Sequence, residues 1–377
     1  MLQDAVESGA VPNVVAMAAD RSGVIYEGAA GPRMAGGRDP VTADTHFRIM
    51  SMTKMVATVA ALQQMENGNL DLDAPVDTYC PDFAKLQVLD GFDGETPRLR
   101  PPAGRATVKQ LITHTAGLGY WFWNAELVRW EAATGTPNVL SGFNVIFTAP
   151  LVADPGTVFE YGINIDWLGK VVEATSGVGL DVVIKESITE PLGMHETAFL
   201  MSSAQHANAT PIHMKGEDGR WTVTDIELNQ QPEYFAGGHG LHSTPHDYLT
   251  FQRALLHDGT FEGTKILEKS TVDAAFSNQI GDLDFPASIP TADPAATESF
   301  NAGPGHKWGY GLLLNTEQAP GMRAAGSGAW AGLLNTHFWV DRATGITGAI
   351  YTQFLPFVTP EAMKMYNDFE RALYASL

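Results

Sequence analysis

The chain has 377 residues, with 23 Lys and Arg against 43 Asp and Glu, a formal net charge of −20. That charge repels phosphate backbones and anionic membrane surfaces, so nucleic acid and membrane are excluded as expected partners. A hydrophobic content of 44% with 18% charged residues is that of a globular protein, and at roughly 150 residues per unit two domains are expected.

In chain order, residues 13–31 ("NVVAMAADRSGVIYEGAAG") read as two β runs around a turn at Arg21, Ser22 and Gly23, a hairpin near the start. Residues 48–62 ("RIMSMTKMVATVAAL") read as an apolar helix beginning near Ser51 and stopped by Asn67 and Gly68. "VKQLITH", "NIDWLGKVVEAT", "LDVVIKESI" and "PHDYLTFQRALLHDG" have helical spacing, and "PRLRPPAGRAT" reads as loop. Three strands are expected at 308–314, 336–341 and 346–354, then a terminal amphipathic helix capped by Thr359 and opened by Pro360 and Glu361.

Strands at both ends therefore enclose a mostly helical interior. The expected class is α/β, with one antiparallel sheet built from both chain ends and flanked by helices: residues 1–60 and 240–377 form the sheet domain, and 61–239 an inserted helical domain. Cys80, the single cysteine, excludes an internal disulfide and a Cys-based metal cluster and reads as a buried, inert thiol. No basic leader segment and no run of about 18 apolar residues is visible, so a cytoplasmic location is the default expectation.

The chemistry centres on "SMTK". Ser51 and Lys54 are three apart and share a helix face, and Lys54 is the one charged residue between Arg48 and Glu66. A serine hydroxyl needs a base to become a nucleophile, and a buried lysine of lowered pKa can be that base. Ser-x-x-Lys alone is a weak signal.

Six ordered blocks strengthen it: "SMTK" at 51, "LITHTAGLGY" at 111, "PGTVFEYGINIDWLGKVVEATSG" at 155, "GGHGLHSTPHDYLTF" at 237, "WGYGL" at 308 and "GSGAWAG" at 326. Together they resemble the serine β-lactamase and penicillin-recognising superfamily, and within it the family VIII carboxylesterases. The resemblance implies a β-lactamase-like fold with Ser51 as nucleophile, Lys54 as its partner and Tyr161 as catalytic tyrosine, its phenolate favoured by the Lys54 ammonium. It further implies backbone N–H donors of Ser51 and Ala329 for the oxyanion, with Gly326, Ser327 and Gly328 as the third motif. Whether Lys54 or Tyr161 is the working base stays open.

Departures from the family pattern bear on the substrate. Gly162 and Ile163 follow Tyr161 where β-lactamases place an asparagine two residues on, and Gly326 stands where they place a cation. An uncharged ester is favoured over an anionic penicillin or peptide. Tyr120, Trp121 and Trp123, in a run with Phe122, and Trp330 are expected to line an apolar acyl or alcohol pocket, because adjacent aromatics cannot all face one core. His239, His242 and His246 read as loop packing rather than a metal site, and His114 as a structural hydrogen-bonding residue.

The expected activity is hydrolysis of carboxylic esters with short acyl chains through an acyl-Ser51 intermediate, without metal or cofactor and with a small-molecule ester as partner. A β-lactamase, D-alanyl peptidase or acyltransferase of the same fold is the first alternative, and a non-catalytic binding module the second.

Overall fold

Alternate residues of Val14–Asp20 belong to different cores: Val15, Met17 and Ala19 join one hydrophobic cluster, and Val14, Ala16 and Ala18 another. A strand covered on both faces must lie in the middle layer of three. The computed structural model of the chain, which describes all 377 residues, shows that arrangement.

The elements that matter are β1 (Val14–Asp20), β2 (Val24–Ala30), α1 (Thr53–Glu66), α2 (Asn164–Ser176), α3 (Pro245–Leu256), β3 (His306–Trp308), β4 (Leu313–Asn315), β5 (Gly328–Gly332), β6 (Thr336–Asp341), β7 (Ile346–Tyr351) and α4 (Pro360–Ala375). They form one antiparallel sheet in the order β3-β4-β5-β6-β7-β1-β2, so the two chain ends meet where β7 pairs with β1. The fold is β-lactamase-like, mixed α/β with a central antiparallel sheet and helices.

One sheet face is covered by α4, whose Met365, Tyr366, Phe369 and Leu373 pack with Trp339 and Ile350. The Thr359 hydroxyl accepts from the Ala362 N–H and Pro360 opens the first turn, as the spacing predicts. The other face meets α3, with Tyr248 against Phe338 at 5.3 Å between ring centroids, and beyond it α1. Helix α2 packs across α1 and so brings the inserted segment onto the helix that follows Ser51.

The structure departs from the expected elements in three places. The run 308–314 is two strands, because the chain turns at 309–312: a Cβ on Gly309 would lie 1.9 Å from the Ala275 carbonyl oxygen, and one on Gly311 (φ +77°) 2.9 Å from Thr58 Oγ1. The strand begun at Ile346 ends at Tyr351, and Phe354–Leu355 leaves the sheet to pair with His213–Lys215. Residues 97–100, read as loop, belong to a hairpin of Val88–Asp93 with Thr96–Arg100.

Candidate active site

Ser51 lies in a 3-10 turn, Met50–Met52, immediately before α1. Met50 has φ +46°, a left-handed conformation that a side chain adopts only when its surroundings impose it. The restraints are visible: Ile49 N–H donates to the Leu241 carbonyl at 3.2 Å, Thr336 Oγ1 to the Ile49 carbonyl at 3.3 Å, and the Tyr248 hydroxyl to the Met52 carbonyl at 2.9 Å. Thr53 through Leu62 are buried without interruption, so α1 is a core helix and Lys54 is carried into the core with it.

Lys54 Nζ donates to Ser51 Oγ at 3.0 Å, to the Tyr120 hydroxyl at 2.9 Å and to the Gly238 carbonyl at 2.7 Å. Three acceptors match the three N–H bonds of an ammonium. As a neutral amine it would keep two donors, and its lone pair would accept the Ser51 proton. Burial pushes the Lys54 pKa well below the usual lysine range, opposed by the negative charge of Asp166. Asp166, in the first turn of α2, is itself buried, which raises its pKa, while Lys54 and the Gly238 N–H (3.0 Å from Oδ1) lower it.

Tyr161 approaches from the segment before α2. Its hydroxyl accepts from Trp330 Nε1 at 2.8 Å, and its ring, not its oxygen, faces Lys54, whose Nζ lies 4.6 Å from the ring centroid. Burial raises the phenol pKa, against hydrogen bonding from Ser51 and Trp330. Burial therefore works against the phenolate that a Lys54 ammonium is expected to favour. His114, kept neutral by burial and by Lys54, packs at a tilt against Tyr161, 4.5 Å between ring centroids, and its Nδ1 lies 3.0 Å from Asn164 Nδ2 and 3.4 Å from Gly162 N.

The strand beside Ser51 is β5, and it meets the serine at its far end. A Cβ on Gly332 would lie 2.3 Å from the Ile49 carbonyl oxygen, whereas Ala329, three residues earlier and about 10 Å along the strand, pairs with Leu313 and Trp339 and packs toward the α4 face. Gly326 and Gly328 neighbour Asn315, Leu312 and Phe276, and the Ser327 hydroxyl donates to the Ala324 carbonyl at 2.7 Å. The structure thus places Ala329 and the Gly326–Gly328 motif away from Ser51. The N–H groups of Ser51 and of Leu333, next after Gly332, donate to no acceptor in the protein.

The geometry is that of a serine hydrogen-bonded to a buried lysine, and comparison with known proteins bears on what it belongs to. The beta-lactamase family model matches residues 1–372. The chain belongs to the beta-lactamase family. It is 32% identical to monacolin J acid methylbutanoyltransferase of Aspergillus terreus over 98% of this chain and 93% of that one. It is 31% identical to lovastatin esterase of Penicillium rubens over 92% and 90%. The unliganded structure of simvastatin synthase (LovD) from Aspergillus terreus superimposes with a TM-score of 0.87 at 30% identity, covering 100% of this chain and 96% of that one. Within the family, this chain is an enzyme of the serine hydrolase and acyltransferase group; relatives named as acyltransferases and as an esterase both resemble it.

Against that family background the aromatic run is more enclosed than expected. Tyr120, Trp121, Phe122 and Trp123 are all buried, which a sharp 3-10 turn at Trp121–Trp123 allows by fanning the rings apart. Tyr120 stacks on Phe122 at 5.0 Å, Trp123 lies 5.4 Å and Trp330 4.9 Å from the Tyr161 ring, and Trp121 Nε1 donates to Asp293 Oδ2 at 3.1 Å. The hydroxyl of Tyr120, expected to line the substrate pocket, accepts from Lys54. His239 lies 3.9 Å from Asp166, His242 is buried in a bridge to Ala198, and His246, expected in loop packing, sits in the first turn of α3 against Asp44 and Glu27. The three do not converge.

Sequence reasoning missed Asp166, Gly238 and Leu333. Asp166 had a signal, an acid flanked by Ile165 and Trp167 on the buried side of a helix. Gly238 had a fainter one in "GGHG", and Leu333 had none, because its contribution is a backbone N–H.

Proposed function

We propose that this protein is a carboxylesterase that transfers the acyl group of an uncharged ester, with a short acyl chain, to Ser51 and then to water. The observation that carries the reading is the 3.0 Å contact between Ser51 Oγ and a fully buried Lys54. Burial favours the neutral amine, so Lys54 is the base: it takes the Ser51 proton as Oγ attacks the ester carbonyl. The free N–H groups of Ser51 and Leu333 are the proposed oxyanion donors, in place of Ala329. Tyr161, a neutral phenol, gives its proton to the departing alkoxide, and the proton held by Lys54 returns to it by way of Ser51 Oγ, which is hydrogen-bonded to both side chains. Water then repeats the sequence on the acyl-enzyme, and every proton is returned.

Apolar rings around Tyr161, and Lys54 as the one charged side chain hydrogen-bonded to Ser51, support an uncharged substrate. The relative named for methylbutanoyl transfer supports a short acyl group, and with its fellow acyltransferases it supports a second reading in which an alcohol replaces water as acceptor.

Hydrolysis of p-nitrophenyl butyrate by the wild type and by Ser51→Ala, both checked for folding by circular dichroism, tests the proposal. Turnover confined to the wild type is expected; equal rates from both, or none from a folded wild type, would overturn it. Acyl transfer into added alcohol, measured by product partition, separates the two acceptors.

A further inference from the structure

Ser51, Lys54 and Tyr161 do not complete the buried polar unit. Lys54 uses two of its three hydrogen bonds on groups outside the Ser51, Lys54 and Tyr161 set, the Gly238 carbonyl and the Tyr120 hydroxyl. Both converge on Asp166. Its Oδ1 accepts the Gly238 N–H at 3.0 Å, so the carboxylate grips one side of a peptide unit whose neighbouring carbonyl grips Lys54. A Cβ on Gly238 would lie 2.4 Å from Asp166 Oδ2 and 2.8 Å from the Tyr120 hydroxyl, so glycine is what lets the loop enter between them. A carboxylate this deeply buried is costly unless it is compensated.

We infer that Asp166 and Tyr120 are positioning residues for acyl transfer: Asp166 aims the Gly238 carbonyl at Lys54 and supplies its buried counter-charge, while Tyr120 takes a second N–H, leaving Lys54 one free direction, toward Ser51. The inference rests on the reading of Ser51 as the acyl acceptor.

The other groups that face Lys54 do not supply that charge. His114 and His239 are held neutral by burial, and the Tyr120 and Tyr161 phenols are held protonated by the same cause. Asp166 is the charge that opposes the desolvation of Lys54, and Lys54 returns the effect on Asp166. The arrangement sets how readily Lys54 holds a proton, and hence where on the pH scale it becomes a base.

Asp166→Asn tests this, because asparagine keeps an oxygen for the Gly238 N–H while removing the charge. Without the charge Lys54 releases its proton more readily, so the acid limb of kcat/KM moves to lower pH, by about one unit or more, with KM within about threefold of the wild type. Tyr120→Phe keeps the ring on Phe122 and removes the hydroxyl; the limb is expected to move the same way and kcat to fall about tenfold or more. If Asp166→Asn does not fold, Tyr120→Phe decides the matter alone. Labelling of the wild type by a serine-directed phosphonate is run in parallel. A wild type unlabelled at Ser51 overturns the underlying reading, whereas a labelled wild type and an unshifted limb in the folded variants overturn this inference alone.

Discussion

Replacing Gly332 by alanine should cripple the enzyme, and replacing Gly326 should not. The Cβ of Gly332→Ala would stand 2.3 Å from the Ile49 carbonyl oxygen and 2.4 Å from Thr336 Oγ1. Ordinary contact begins at 3.4 Å, so backbone must yield by 3.4 − 2.3 = 1.1 Å. The backbone that yields is that of Ile49, two residues before Ser51, next to the left-handed Met50, and Leu333 on the other side. A displacement of about 1 Å at a reacting group costs on the order of a hundredfold in rate, roughly 2.7 kcal/mol of transition-state stabilisation. Overpacking should cost a further 1–3 kcal/mol of stability, as a rough figure. Gly326 has φ +82° and open space where its Cβ would go, so Gly326→Ala should cost about 1–2 kcal/mol of stability through backbone strain and leave kcat/KM within about threefold. The assay is kcat/KM for p-nitrophenyl butyrate beside urea unfolding of both variants. A Gly332→Ala enzyme with wild-type kcat/KM, or a folded Gly326→Ala enzyme that has lost a hundredfold, would refute the placement of Ser51 against the far end of β5.

Lys54→Met, which fills much of the same space without the amine, should lower kcat by about 10²–10⁴-fold and also lower the thermal midpoint, since Asp166 loses its counter-charge; a folded variant losing less than tenfold would move Lys54 to a structural role. Trp330→Phe removes the indole donor to the Tyr161 hydroxyl and should reduce kcat about tenfold with little change in KM, checked by steady-state kinetics across the pH range. Acid should destabilise the fold through His239, His242 and His337, each pushed down by burial from 6.5 to about 3. Between those values the unfolded chain binds more protons than the folded one, so stability falls as pH falls. At pH 5 the difference, 6.5 − 5 = 1.5, corresponds to at most about 2 kcal/mol per histidine. Denaturant unfolding at pH 7 and pH 5 measures it, and His337→Phe, which keeps a ring between Phe357 and Tyr366, should lose its share. Glu131 and Glu160, raised by burial to about 7, act in the opposite direction over this range, so the decisive comparison is between proteins: a pH 7 to pH 5 change in His337→Phe identical to that of the wild type would contradict the burial of His337 as a neutral imidazole.

The sequence by itself determined what depends on neighbours along the chain. The spacing of Ser51 and Lys54, the unbroken apolar run around Lys54, the hairpin at Arg21–Gly23 and the cap at Thr359 all act within a few residues, and all are found where their spacing put them. Blocks in a recognisable order carried the class of fold. Only the tertiary structure decided which end of β5 meets Ser51, that the Tyr120 hydroxyl belongs to Lys54, and that Asp166 reaches Lys54 through the Gly238 peptide. Each of those depends on a close approach between segments more than sixty residues apart, where Gly332 and Gly238 matter for the side chain they lack. Motif letters place a glycine in a row; the carbonyl or carboxylate that fills its missing Cβ comes from another part of the chain, and that contact sets the chemistry.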